Sequence, residues 1–149
     1  MRVKIDSGGG GAIVWLAGEP GVGNRTFTEV NEMHAAGRLI AQPAEFLRAA
    51  YRSVFNRGNK GEDITFSSER TYETVADAER YYLEQWTRIP GRGLVTFQVL
   101  SGGSVSIERW LNGAVIEGVD RTYAGVKVSY TYHIIGGQML DTAPTEILS

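Results

Sequence analysis

The chain has no cysteine. Disulfides, thiolate zinc sites and cysteine nucleophiles are therefore excluded. Only two histidines are present, His34 and His133, too few for a histidine-rich metal site. No apolar run approaches the ~20 residues that span a bilayer as a helix. The start, Met1 to Asp6, leads into Ser7 and four glycines, so no apolar signal region is expected and a reducing compartment is implied. Charge of one sign is also missing: 15 basic and 17 acidic side chains leave a formal net charge of −2. Such a balance calls for neither nucleic acid nor an anionic membrane as partner.

What is there is an ordinary globular composition. The 149 residues fit one domain, and such a domain buries roughly two-thirds of the surface its unfolded chain exposes. Hydrophobic residues make up 42% and charged residues 21%, which separates the chain from disordered segments. Nineteen glycines stand out and point to many tight turns in a β-rich fold.

Residues 1–60 read as an irregular, glycine-rich arm with one short helix, 61–137 as a regular core and 138–149 as an exposed C-terminal extension. In the core, Ile64, Phe66 and Ser68 share one face of a strand of period two. Thr74 precedes Val75-Ala-Asp77 as a helix cap. Val75, Ala78, Tyr82, Trp86 and Ile89 then form an inward stripe, which Pro90-Gly91 ends. Leu94 to Leu100 and Val105 to Leu111 read as strands around the turn Ser101-Gly-Gly-Ser104. Asn112-Gly113 predicts a second hairpin that returns Ala114 to Val119 along the preceding strand, and Asp120 to Gly125 reads as a further turn or a bulged segment. Val126 to Ile135 alternates Val126, Val128, Tyr130, Tyr132 and Ile134 against polar residues. In the first half, Met1 to Asp6 and Ala12 to Ala17 suit strands. Thr28 to Ile40 has a weak helical pattern, and Pro43 to Val54 a better one. The expected class is α+β: an antiparallel meander, sandwich or barrel-like, packed against one main helix.

Motifs for chemistry are sparse. Gly18 to Thr26 resembles a phosphate-binding loop, but Asn24 stands where the lysine belongs and Arg25 where the magnesium-binding hydroxyl belongs. The carboxylates Glu62, Asp63, Glu73, Asp77, Glu79 and Glu84 show no catalytic spacing, and a solvated helix surface accounts for most of them. No nucleophile elbow accompanies the histidines. Tyr130 and Tyr132 share a face with apolar residues, which reads as core. Trp15, in the run Ile13-Val-Trp-Leu16, suits either an inner strand or docking on a neighbouring subunit. No catalytic, cofactor-binding or metal-binding residue is assigned.

Val54-Phe-Asn-Arg-Gly-Asn59, Ile64-Thr-Phe66, Thr74-Val-Ala-Asp-Ala-Glu79 and Ile89-Pro-Gly-Arg-Gly93, followed by strands, resemble in layout small structural proteins of tailed-bacteriophage tails: tube, tip or completion-ring proteins. The resemblance spans about residues 50–137. It implies a non-enzymatic virion subunit, made in the host cytoplasm, that forms homo-oligomeric rings and contacts neighbouring tail proteins. The interface residues it suggests are Ile13, Val14, Trp15, Leu16, Arg25, Arg57 and Asn59. Two competitors stand beside it. One is a cytosolic ligand-binding module using Arg109, His133 and Tyr123. The other is a nucleotide-binding enzyme using residues 18–26.

Overall fold

The computed structural model describes residues 1–8, 13–19, 27–30, 32–35, 38–40, 44, 47 and 62–148, without the side chains of 38, 40, 62, 82–88, 123 and 138. Among these described residues, nine strands and one long helix follow in the order β1 (Arg2–Asp6), β2 (Ile13–Ala17), β3 (Met33–Ala35), β4 (Arg38–Ile40), β5 (Glu62–Thr71), α1 (Val75–Arg88), β6 (Arg92–Ser101), β7 (Ser104–Ala124), β8 (Lys127–Gly136) and β9 (Gln138–Leu140). All strand pairings are antiparallel. The spatial order is β2-β1-β6-β7-β8-β5-β3-β4, with β9 beside β7. The protein is thus a mostly antiparallel sheet with one long helix, as the α+β expectation required.

The period-two patterns decide which face is buried. Ile64, Phe66 and Ser68 of β5 and Val128, Tyr130, Tyr132 and Ile134 of β8 are all buried, and the two strands pair from Glu62↔Gly136 to Thr71↔Lys127. Val3 and Ile5, Val14 and Leu16, and Val95 and Phe97 complete the same core from β1, β2 and β6. Strands β2 and β5, which do not pair in the sheet, approach each other over this core. The Ser68 hydroxyl on β5 donates to the Leu16 carbonyl on β2 at 2.6 Å. Phe27–Val30 stitches the gap: the Thr28 amide donates to the Glu69 carbonyl at 2.8 Å, and the Val30 amide to the Met1 carbonyl at 2.9 Å.

Helix α1 begins as its sequence dictates. Thr74 is extended and its hydroxyl accepts from the Asp77 amide at 3.1 Å, a cap that satisfies an otherwise orphaned donor. Ala78 is buried and Ile89 packs against the core. Val75, expected inward, is 52% exposed, because it opens the helix where the chain is still leaving the sheet. Tyr82 and Trp86 belong to the side chains outside the description.

Four expectations are corrected. Asn112-Gly113 is no hairpin: β7 runs unbroken through it for 21 residues. Gly113 does take φ +74°, but it serves a bulge, since Gly93↔Ala114 is followed by Val95↔Leu111. Residues beyond the bulge pair with β8 instead of folding back; the apolar face of β8 outweighs the local turn preference. The real two-residue loops are Gly102-Gly103, with φ +60° and +82°, and Gly125-Val126, with Gly125 at φ +65°. The turn or bulged segment expected over Asp120 to Gly125 is therefore regular strand as far as Ala124. Thr28 to Ile40 holds β3 and β4 in place of a helix, because Met33 and Ala35 alternate with exposed His34 and find β5 as partner. Finally, within the stretch expected to be an irregular arm, Arg2–Asp6 and Ile13–Ala17 are strands of the sheet, with β1 between β2 and β6. Of the helix expected over 43–54, residues 44 and 47 are described, and both are helical.

Candidate functional site

The alternation that buries one face of β5, β8 and β7 puts polar side chains on the other. Thr65, Ser67 and Glu69 on β5 face His133, Thr131 and Ser129 on β8. Each pair is hydrogen-bonded: Thr65 Oγ1 lies 3.3 Å from His133 Nδ1, Ser67 Oγ 2.7 Å from Thr131 Oγ1, and Ser129 Oγ donates to Glu69 Oε1 at 3.2 Å. From β7, Asp120 Oδ2 meets His133 Nε2 at 3.0 Å. Glu69 also pairs with Lys127 at 2.9 Å. The hydrogen bond from the Lys127 ammonium holds its carboxyl below the ordinary range, helped by Ser129.

Above this ladder an open cleft of about 810 Å³ is bounded by Thr28, Glu29, Glu32 and His34 on one side and by the β5–β8 hydroxyls on the other. His34 pairs with Thr65 across β3 and β5. Both histidines of the chain thus flank one threonine on one face. This row escapes sequence reading because its members are up to a hundred positions apart. The only signal was the polar half of each strand's alternation.

The order Asp120–His133–Thr65 matches orienter, base and nucleophile in outline. Its surroundings argue against acyl transfer. Asp120 is 79% exposed and His133 39%, so water screens their attraction. Thr65 sits mid-strand between β3 and β8, where backbone amides serve the ladders instead of forming an oxyanion hole. Among the described residues no group of three or more ligand-type side chains is arranged to hold a metal ion.

The other candidates are placed as follows. Val14 and Leu16 point into the core, whereas Ile13 is 48% exposed and Trp15 half-buried. The Lys4 ammonium lies 5.4 Å from the centre of the Trp15 ring. Arg25, Arg57 and Asn59 lie outside the described residues, as does most of the segment 18–26. Gly18 is described, and its amide already bonds the Phe27 and Thr28 carbonyls at 3.1 and 3.0 Å, so it is not available to a phosphate. Arg109 and His133 do not converge: Arg109 pairs with buried Phe97 and donates to the Leu47 and Glu108 carbonyls, while His133 is on the outer face. The Tyr123 side chain is not described.

A second cluster closes one end of the core. The Arg70 guanidinium lies within 5.1–5.7 Å of the ring centres of Tyr72, Phe27 and Tyr81. Its Nε is buried without a hydrogen-bond partner among the described residues; the π faces stand in for water. Tyr72 stacks on Tyr81 at 5.4 Å and its hydroxyl bonds that of Tyr130 at 2.9 Å. Burial, then this bond, pushes the Tyr130 phenol far above its ordinary value.

Comparison with protein-family models, curated proteins and solved structures finds no match.

Proposed function

We propose that the protein is a non-enzymatic structural subunit of a tailed-phage virion that assembles into a homo-oligomeric ring in the tail, with neighbouring tail proteins as further partners. The observation that supports this reading is the pair of unlike sheet ends. β2 carries Ile13, 48% exposed, and β4 carries Leu39, 58% exposed. Large apolar side chains on terminal strands invite pairing with another chain. Contact between two different patches of identical subunits is heterologous, and it closes a ring when the rotation allows. The curl that joins β5 to β2 is read as a barrel-like closure, which would hold both patches rigid. The exposed Asp120–His133 pair, with no oxyanion hole beside it, favours a non-catalytic role.

Light scattering with negative-stain microscopy tests the reading on the intact protein. Rings or stacked rings are the expected species, and Ile13→Lys or Leu39→Lys lowers the mass without loss of the β-sheet spectrum. A protein that stays monomeric at every concentration, alone and with tail extracts, overturns it. The second reading, a ligand-binding module, draws on the 810 Å³ cleft. A small ligand that raises the melting temperature in proportion to its occupancy, and loses that effect in Glu32→Gln, would favour it.

A further inference from the structure

The hydrogen bonds of the C-terminal segment after β9 are made with one side chain. The Asn112 amide Nδ2 donates to the Glu146 carbonyl at 2.8 Å, and the Leu148 amide donates to Asn112 Oδ1 at 3.0 Å. One carboxamide thus bonds the carbonyl of one residue and the amide of the residue two further on, pairing with the backbone much as a sheet edge would. The bulge makes this possible by displacing Asn112 from the regular β6–β7 ladder, with Gly113 at φ +74° beside it. Glycines also line the seat. A Cβ added at Gly8 would meet Ile147 Cβ at 3.2 Å, and one at Gly113 would meet Leu148 Cδ1 at 3.4 Å. Ile147 is the half-buried anchor, whereas Leu148 stays 47% exposed.

We propose that this Asn112–Gly113 seat is a peptide-strand receptor that, in the assembled protein, takes Glu146–Leu148 of a second copy. The proposal rests on the homo-oligomer reading above and names the segment exchanged. Three observations carry it. Among the described residues, the hydrogen bonds that hold Asp141–Leu148 are the two to Asn112, so the segment leaves its seat without disturbing a strand. A second copy presents the same seat, so the contacts of the two arrangements are identical and only the connection differs. That connection, Asp141–Thr145, has to reverse: β9 runs from Gln138 beside Asn112 to Leu140 beside Trp110, and the tail then returns to Asn112. Pro144 biases Ala143 toward extended backbone, which favours an outstretched tail. Five extended residues reach about 17 Å, which sets how far an adjoining subunit's seat can lie. The tethered arrangement has a high effective concentration at low protein concentration, and packing in an assembly removes that advantage.

The cysteine-free chain allows a direct test. A Cβ at Gly113 would stand 3.7 Å from Leu148 Cβ, close to the ~3.8 Å of a disulfide. Full-length Gly113→Cys protein is mixed with full-length Leu148→Cys protein under mild oxidation. The expected result is a covalent heterodimer that increases with protein concentration, exceeds both homodimers, and is lost when Asn112→Ala is added to the Gly113→Cys chain. If a chain carrying both Gly113→Cys and Leu148→Cys closes only on itself and the mixture gives no heterodimer, the exchange is overturned. Light scattering on the same samples separates the two proposals: oligomers without heterodimer leave the ring reading standing, whereas monomers throughout remove both. Because cysteine at Gly113 takes a backbone conformation that glycine favours, Asn112→Ala in the otherwise unchanged protein is the second measurement. Exchange predicts that it lowers the oligomer mass. An unchanged mass, with the tail released to proteolysis, overturns the exchange.

Discussion

The buried tyrosine pair shows how much rests on single atoms. Tyr72 and Tyr130 are both buried, and their hydroxyls bond at 2.9 Å. Tyr72→Phe leaves the Tyr130 hydroxyl without this partner, which costs about 1–3 kcal/mol for a buried group. Tyr72→Phe with Tyr130→Phe removes both hydroxyls, so chemical denaturation is expected to find the double variant less destabilised than the sum of the two singles. At the surface the balance differs. The Glu69 carboxyl is lowered chiefly by Lys127. Its folded value lies below its unfolded one, so the stability it contributes is present above the unfolded value and lost as pH falls through the folded one. Lys127→Met raises the Glu69 titration midpoint seen by NMR and flattens the acid limb of the stability curve slightly. The effect is small because the pair is largely exposed, 53% and 41%.

Elements were legible where a local signal and the tertiary structure agreed. The Thr74 cap is such a case: the Asp77 amide finds the hydroxyl that the sequence placed there. Thr74→Ala is expected to cost about 1 kcal/mol in thermal or denaturant melts, with Thr74→Ser near neutral. Strands β5 and β8 were equally legible, since four or more alternating residues determine the buried face. Asn112-Gly113 misled because its turn preference is local while its choice of partner is not. Gly93 marks the same limit from the other side. A Cβ there would lie 2.4 Å from the Asp6 carbonyl oxygen, far inside contact distance. Gly93→Ala therefore forces β1 away from β6 and is expected to lower the melting temperature by several degrees, as a loss of 1–3 kcal/mol does in a domain of this size. Nothing in the sequence around Gly93 announces that approach.

Over the whole molecule, strands β1 and β2 are part of the core. Met1, Val3, Ile5, Val14, Leu16 and Ala17 are all buried, and loss of β1 and β2 strips these residues from the core and leaves β6 without its partner β1. Deleting residues 1–17 is therefore expected to give an unfolded or aggregating chain by circular dichroism, not a folded monomer that merely fails to assemble. A folded, monomeric product would show that the remaining strands close without them. The outer-face polar ladder belongs to this scale as well. Thr65, His133 and Asp120 are ordinary residues of three separate strands, and only the β5–β8–β7 register makes them neighbours.

The amino-acid sequence by itself determined the local periods: the two-residue alternation of β5 and β8, the capped start and Pro-Gly end of α1, the Ser101–Ser104 turn, and the exclusion of disulfide and cysteine chemistry. Those follow from interactions within a few residues, where chain geometry allows few alternatives. Tertiary structure decided the rest: that β7 crosses Asn112-Gly113 instead of turning, that Met33–Ala35 and Arg38–Ile40 are strands, that β1 and β2 belong to the sheet, and that Asn112 holds the C-terminal segment. Each of these depends on apolar area or hydrogen bonds supplied by residues distant in the chain, and such partners outweigh the fraction of a kcal/mol by which a local propensity prefers one conformation.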